Sequence, residues 1–229
     1  MFEKVGIQTT FVGHPLANKI PLKSNKFKYR KMLKLKSKEL VIALLPGSRM
    51  GELKAHTDTL LETAQNLLEV HPDAKFLIPA TNDKNVHFIK GRIRNNPTKN
   101  LKLIKGKVDE ILSSSNIAIA ASGTASLQIA LHKKPMIIIY KGSWISYFIW
   151  KMVRLIPNVS LPNILLNENF VPEMLQHRAT PNLLSEKACK IINDKKYLKK
   201  IEFKFNRLHK DLKKNTSSLI FKIIKPYLK

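Results

Sequence analysis

The amino-acid sequence alternates short apolar runs with longer amphipathic stretches from residue 41 onwards, and this alternation limits the fold more than any other feature. The short runs have the length of buried β-strands, and the stretches between them have helical periodicity. This pattern predicts an α/β fold with a Rossmann-like, doubly wound parallel sheet that binds ligands beyond the carboxyl ends of its strands. The predicted strands are residues 41–45, 75–79, 101–104, 117–121 and 136–140.

The predicted helices show apolar residues at helical spacing. His71-Pro72 ends the first of them, because proline cannot continue a helix. A helix over residues 52–70 would bury the face formed by Leu53, Leu60, Ala64, Leu67 and Leu68. The other predicted helices are residues 83–95, 108–114 and 124–132.

Both ends of the sequence depart from this alternation. Residues 9–12 are strand-like and lead through Gly13-His14-Pro15 into a Lys-rich stretch. Residues 181–229 predict one or two basic helices. Their predicted apolar positions are Leu183, Leu184, Ala188, Ile191, Phe205, Leu208 and Leu212.

Residues 144–156 are apolar around most of a helical projection and carry only a narrow polar stripe. Helices of this kind are usually buried, and we interpret the segment in that way. A subunit interface or a membrane-surface contact is the alternative, which the flanking cations favour.

The charge is strongly basic, with 41 Lys and Arg against 16 Asp and Glu and a formal net charge of +25. Such a surplus attracts nucleic acids and anionic lipids. Only seven of these cations are arginines, which base and phosphate recognition favours, so we expect a solvated basic surface and no nucleic-acid partner. The sequence shows no membrane-length apolar run and no secretory signal, and its single cysteine, Cys189, allows no internal disulfide. These features predict a cytoplasmic protein.

Two loops between a predicted strand and a predicted helix have the composition of phosphate-binding turns. Pro46-Gly47-Ser48-Arg49 follows the first strand, and Ser122-Gly123-Thr124 follows the fourth. The start of a helix offers free backbone N–H groups and the positive end of its dipole, and Arg49 adds a cation. An ordinary turn with a surface arginine, or capping by the hydroxyl groups, is the alternative. Two such loops at one sheet edge favour a diphosphate or nucleotide site.

The other polar residues predict no chemistry by themselves. The seven histidines lack metal-ligand spacing, so we expect neither a metal ion nor a cofactor. Residues 160–164 and 171–176 read in isolation as a loop and a short helix start.

Six motifs nevertheless occur in a characteristic order. They are Phe11-Val12-Gly13-His14-Pro15-Leu16, Leu44-Leu45-Pro46-Gly47-Ser48-Arg49 with Glu52, Ala121-Ser122-Gly123-Thr124-Ala125, Pro135-Met136 to Tyr140-Lys141, Ser160-Leu161-Pro162-Asn163, and Val171-Pro172-Glu173 with Gln176. In this order they resemble the lipid-A-disaccharide synthases, which are glycosyltransferases of the GT-B class. The resemblance covers residues 2–185. The C-terminal part of the family's sequences is similar to Phe205-Asn206-Arg207-Leu208-His209.

This resemblance implies the C-terminal half of a GT-B fold with a helical C-terminal tail. Residues 1–40 would be a remnant of the N-terminal domain and the interdomain linker, with Gly13-His14-Pro15 at the hinge. Residues 41–185 would bind the UDP-sugar, and residues 186–229 would form basic helices. The implied reaction transfers 2,3-diacylglucosamine from UDP-2,3-diacylglucosamine to lipid X without a metal ion. A non-catalytic UDP-binding fragment and a basic nucleic-acid or lipid-surface binder are the alternatives.

The resemblance also implies which residues contact the substrate. Gln128 stands where the family usually has Glu, so an acceptor for ribose hydroxyls remains but its charge is lost. On this basis Gln128→Glu is expected to strengthen UDP binding. The candidate general base would lie in the missing N-terminal half, which leaves no catalytic residue to name here. The implied substrate-binding residues are Gly47, Ser48, Arg49, Glu52, Ser122, Gly123, Thr124, Gln128 and Asn163.

The implied partners are the two lipid substrates and the surface of the bacterial inner membrane, with the protein peripheral on its cytoplasmic face. A separately encoded N-terminal half and a homodimer are further expectations. Because the half that would hold the acceptor and the base is absent, we expect the chain to be inactive alone.

Overall fold

The computed structural model describes Gly6, residues 9–142 and residues 158–228. The predicted helix over residues 144–156 lies outside these residues. Two 3₁₀ turns, Gln176–Arg178 and Lys225–Tyr227, accompany the regular elements. In chain order the elements are α1 (Pro15–Lys19), α2 (Lys26–Met32), β1 (Val41–Leu45), α3 (Met50–Val70), β2 (Lys75–Ala80), α4 (Asp83–Asn95), β3 (Leu101–Lys105), α5 (Val108–Ser114), β4 (Ile117–Ala121), α6 (Thr124–Leu131), β5 (Met136–Tyr140), α7 (Leu161–Leu166), β6 (Glu173–Leu175), α8 (Pro181–Asn193), α9 (Lys195–Leu212) and α10 (Thr216–Ile224).

The strands form one parallel sheet in the order β3-β2-β1-β4-β5-β6. The five predicted strands are confirmed. The central strands β1 and β4 are apolar runs buried along their whole length, whereas β3 lies at the edge of the sheet, contains Lys102 and Lys105, and is only partly buried. The sixth strand, β6, was not predicted. It has only three residues and begins with Glu173, so it lacks the apolar run that identifies a buried strand.

The sheet order reverses between β1 and β4. From β1 the chain moves outward through β2 and β3, and it then returns to place β4 on the other side of β1. In an open parallel sheet this reversal leaves a crevice at the carboxyl ends of the two central strands. The loops that follow β1 and β4 therefore border the same crevice.

Alternate residues of the strands supply two hydrophobic cores. In β1, Val41, Ala43 and Leu45 belong to the core that α5, α6 and α9 cover. Ile42 and Leu44 belong to the opposite core, which α3 and α8 cover. Helices thus pack on both faces, which confirms the doubly wound fold.

The helices that connect the strands match their predicted positions. The first helix begins at Met50, two residues before the predicted start, because Glu52 occupies its first turn and bonds the backbone that precedes it. Of its predicted apolar face, Leu53, Leu60, Ala64 and Leu67 are fully buried.

The C-terminal tail contains three helices among its described residues, α8, α9 and α10, rather than one or two. Asp194 and Asn215 accept hydrogen bonds from backbone N–H groups of the next first turn, so each begins a new helix. All but one of the predicted apolar positions are buried. The exception is Leu183, which is 41% exposed.

The segment before β1 packs against the tail. The His14 N–H donates to the Leu212 carbonyl at 2.9 Å, and His209 Nε2 lies 2.9 Å from the Ala17 carbonyl. Ala17 and Ile20 are buried in the core below α6 and α9. Residues 9–12 form no strand, because they have no ladder partner. None of the helices in the described part of the chain combines the length and apolar character that a membrane span requires.

Candidate functional site

A cavity of about 410 Å³ opens in the crevice between β1 and β4. It brings together eight of the nine predicted substrate-binding residues, although they come from two separate loops and the helices that follow them. Thr81 and apolar residues of β1, β2, β4, α5 and α6 form the rest of its wall. Its lining consists of Leu45, Gly47, Ser48, Arg49, Glu52, Pro79, Thr81, Val108, Ala121, Ser122, Gly123, Thr124, Ala125 and Gln128.

The loop after β1 is held by Glu52 from the first turn of α3. Glu52 Oε2 accepts hydrogen bonds from the Ser48 N–H at 2.8 Å and from the Arg49 N–H at 3.2 Å. These N–H groups were expected to be free for a phosphate, and that expectation is wrong for both of them. The carboxylate of Glu52 already occupies the positive end of the α3 dipole.

Gly47 is required by the tight turn that this arrangement makes. Its φ is +114°, and a Cβ atom at this position would collide with the side chain of Glu52. Arg49 remains available to a ligand, since its side chain is 87% exposed and reaches Glu52 Oε1 only at 3.4 Å. Asn85 supports the loop by donating to the Ser48 carbonyl at 2.9 Å. No sequence signal distinguished Asn85 from a surface helical residue.

The loop after β4 leaves the start of α6 open. Gly123 has a φ of +150° and precedes α6 without a side-chain hydrogen bond to the helix start. The hydroxyl of Ser122 does not cap the helix; it donates to the Val159 carbonyl at 3.1 Å. The N–H groups and positive dipole at the start of α6 thus lie at the cavity wall, across from the exposed Arg49.

Gln128 lines the cavity one turn into α6 and bonds a carboxylate. Its Nε2 donates to Asp109 Oδ1 at 2.7 Å, and the same oxygen lies 2.9 Å from His132 Nε2. The hydrogen bond from His132 holds the pKa of Asp109 below its ordinary value. No sequence signal distinguished Asp109 and His132, because an acidic residue in the first turn of a helix is common and His132 has no recognisable spacing.

Asn163 is the predicted site residue that lies outside this cavity. Its side chain is fully buried, accepts from the Val171 N–H at 2.9 Å and donates to Glu173 Oε1 at 2.8 Å. Glu173 also accepts from the backbone N–H groups of Val159 and Ser160, each at 3.0 Å. Protein partners use both ends of its amide, so Asn163 orders the α7–β6 connection and does not line this cavity; its contact with the substrate stays a prediction.

His56 joins the first loop to the end of β5. The Lys141 N–H donates to His56 Nε2 at 3.0 Å, and His56 Nδ1 lies 3.2 Å from the Pro46 carbonyl. Burial lowers the pKa of His56, so the imidazole is neutral, with Nδ1–H as donor and Nε2 as acceptor. A second cavity of about 730 Å³ lies beside this histidine and shares Arg49, Glu52 and Ser122 with the first.

The chemistry available at the site is recognition of an anion and of polar groups next to it. The residues that the structure describes contain no cluster of three or more His, Cys, Asp or Glu side chains that could hold a metal ion. Positive charge comes from Arg49 and from the start of α6. The apolar wall can accept a flat or aliphatic group.

The family model described as lipid-A-disaccharide synthetase matches residues 1–224. A lipid-A-disaccharide synthase from Aromatoleum aromaticum is 37% identical over the whole chain, which covers 59% of that protein. One from Dechloromonas aromatica is 38% identical over 95% of the chain, which covers 58% of it. The chain thus spans about three fifths of the length of these curated relatives.

Solved structures share the fold at low sequence identity. The C-terminal domain of a group 1 family glycosyl transferase from Francisella tularensis has a TM-score of 0.58 and 14% identity, with 89% of this chain and 100% of that domain covered. WaaG, a glycosyltransferase involved in lipopolysaccharide biosynthesis, has a TM-score of 0.56 and 12% identity, with 92% and 54% covered. These likenesses support the C-terminal half of a GT-B fold. The match of the family model to residues 1–224 shows that the chain belongs to the lipid-A-disaccharide synthase family.

Proposed function

We propose that this chain is the UDP-sugar-binding part of a lipid-A-disaccharide synthase. The proposed reaction transfers 2,3-diacylglucosamine from UDP-2,3-diacylglucosamine to lipid X. The observation that carries this proposal is the uncapped start of α6, which borders the cavity together with the exposed side chain of Arg49. A helix start and a guanidinium group that face one cavity suit a diphosphate.

In the proposed reaction the acceptor hydroxyl attacks the anomeric carbon of the donor, and UDP leaves. Arg49 and the N–H groups at the start of α6 would stabilise the negative charge that develops on the diphosphate. Among the residues that line the cavity, Glu52 is the one carboxylate, and two backbone N–H groups already donate to it. We therefore propose that the base for the acceptor hydroxyl comes from outside this domain.

We propose further that the protein works as a peripheral protein at the cytoplasmic face of the inner membrane. Both proposed substrates are lipids, and the net charge of +25 favours an anionic surface. On α10, Ile220, Phe221 and Ile224 are 42%, 54% and 43% exposed, and Lys222 lies beside them. Sedimentation with vesicles tests this proposal. Binding should be stronger to anionic than to neutral vesicles and should weaken with salt, and equal binding to both would contradict it.

Calorimetric titration of the chain with UDP tests the proposed site. We expect binding that Arg49→Ala weakens. The alternative of a basic polyanion binder has a different signature. It requires binding to nucleic acid or lipid that survives Arg49→Ala and falls steeply with salt, together with no affinity for UDP.

A further inference from the structure

Gln128 can offer either end of its amide to a ligand in the cavity, and the structure determines which end is used. Its Nε2 donates to Asp109 Oδ1 at 2.7 Å. Nothing in the described part of the chain donates to Oε1. Because the amino end is engaged with the carboxylate, the carbonyl oxygen is the group that Gln128 presents to a ligand.

Asp109 is itself held in place by His132, through the same carboxylate oxygen that Gln128 contacts. His132 Nε2 donates to Asp109 Oδ1 at 2.9 Å, and the side chain of His132 is only 2% exposed. The Ser113 hydroxyl lies 3.1 Å from His132 Nδ1, so both ring nitrogens have partners. An ionised carboxylate accepts hydrogen bonds and cannot donate them. This chain of contacts therefore forces the amino group of Gln128 toward Asp109.

We propose that Asp109 is a positioning residue that turns the carbonyl oxygen of Gln128 toward the ligand, so that the site selects ligands with hydroxyl donors, such as the diol of a ribose. This inference rests on the proposed function, because it concerns the same cavity. It adds an arrangement of α5 and α6 that the sequence did not indicate. A site that bonds a hydroxyl group through a fixed acceptor rejects analogues that lack the hydroxyl.

The same arrangement reverses the expected effect of Gln128→Glu. A glutamate at this position would place two carboxylates within hydrogen-bond distance, where they repel each other unless they share a proton. The double variant D109N/Q128E restores a hydrogen bond between positions 109 and 128, with the donor and the acceptor exchanged. The amide nitrogen of the new asparagine can take the place of Oδ1 and donate both to the new glutamate and to His132 Nε2, with the imidazole proton on Nδ1 and donated to the Ser113 hydroxyl. The net charge of the double variant equals that of the parent.

The test measures the affinity of four proteins for UDP and for 2′,3′-dideoxy-UDP by calorimetry. The proteins are the parent, D109A, Q128E and D109N/Q128E, and thermal unfolding establishes that each is folded. Alanine is the single substitution because asparagine alone would keep a carbonyl oxygen in the place of Oδ1 and could still accept from Gln128. The two ligands carry the same diphosphate, so the ratio of their affinities reports hydroxyl recognition alone. D58N is the matched control, because it removes an acidic group that pairs with Arg92 on the surface and does not line the cavity.

We expect the parent and D58N to prefer UDP about three- to tenfold, which is the range for one hydrogen bond. D109A and Q128E should each reduce the preference to less than about twofold, and D109N/Q128E should restore it. Should one single variant fold poorly, the other single variant and the double variant together still decide the question. An unchanged preference in D109A, or no restoration in the double variant, would overturn the inference. UDP binding by the parent would still uphold the proposed function in that case. A parent that does not bind UDP would overturn the proposed function itself.

Discussion

At the scale of single residues, Arg49 makes the most direct proposed contact with the diphosphate. Its side chain is 87% exposed and has only a long contact with Glu52, so a ligand can bind the guanidinium group without breaking a buried interaction. The neighbouring N–H groups cannot substitute for it, because Glu52 occupies them.

Arg49→Ala should weaken UDP binding by about 1.5–3 kcal/mol, or about ten- to 150-fold, the usual range for a hydrogen bond between charged groups. Calorimetric titration measures the change. Arg94→Ala is the matched control, since Arg94 is exposed on α4 and does not line either cavity at the site. Equal affinity in the Arg49 variant and the parent would remove Arg49 from the site.

At the scale of elements, Glu173 fastens α7 and the preceding turn to β6. Its carboxylate accepts four hydrogen bonds, from the N–H groups of Val159 and Ser160, the Ser160 hydroxyl and the Asn163 amide. Three of these donors precede or begin α7, and the carboxylate lies at the start of β6. The connection between two elements therefore depends on one side chain.

Glu173→Ala should lower the free energy of unfolding by about 2–4 kcal/mol, because several donors lose a charged acceptor. Urea unfolding measures this loss. Glu186→Ala is the control, as Glu186 pairs with Lys190 on the exposed face of α8 and should change stability little. If both variants were equally stable, the network around Glu173 would not hold the elements together.

Lys134 caps the carboxyl end of α5. Its Nζ donates to the Ser113 and Ser115 carbonyls, each at 2.9 Å, while Arg30 Nε donates to the Ser114 carbonyl at 3.0 Å. Burial lowers the pKa of Lys134 to about 7. The unfolded chain, with its ordinary lysine pKa, holds this proton to a higher pH than the folded chain does.

Unfolding therefore takes up a proton at Lys134 above pH 7. Because of this uptake, the free energy of unfolding should rise with pH between about pH 7 and pH 10, by at most about 1.4 kcal/mol per pH unit. Lys134→Met should flatten this rise when urea unfolding is compared at pH 7 and pH 9. Lys90→Met, on the exposed side of α4, should keep the slope of the parent. A parallel slope in the Lys134 variant would show that this lysine is not responsible.

At the scale of the whole molecule, the described cavity supplies contacts for a leaving diphosphate but no free carboxylate or imidazole on its wall. The relatives are also longer, since the chain spans 59% of the first and 58% of the second. We therefore expect that binding of the donor and catalysis of the transfer can be measured separately in this chain.

The chain alone should bind UDP but should form no disaccharide from UDP-2,3-diacylglucosamine and lipid X, because transfer requires an acceptor and a base held at the anomeric carbon. Chromatography of the lipid products measures this outcome. Addition of the complementary N-terminal part of a relative should restore turnover if the two parts form a split enzyme. Product formation by the purified chain alone would contradict the proposal that the base lies elsewhere.

Sequence by itself determined the elements that carry the site. The apolar runs at β1 and β4 and the small residues after them are local signals, because a strand buried on both faces must be apolar throughout and a tight turn needs glycine. Gly47 and Ser122-Gly123 were identified in this way. The family motifs added Glu52 and Gln128, which local periodicity would have left as ordinary helical residues.

Only the tertiary structure decided which donors and acceptors pair with one another. Strand order places the loops after β1 and β4 together, although about seventy-five residues separate them. Glu52 then takes the N–H groups expected for a phosphate, Glu173 takes one end of the Asn163 amide, and Asp109 takes one end of the Gln128 amide. A sequence shows which donors and acceptors exist, but each hydrogen bond forms with the partner that folding brings near. The pairing therefore depends on contacts between residues far apart in the chain.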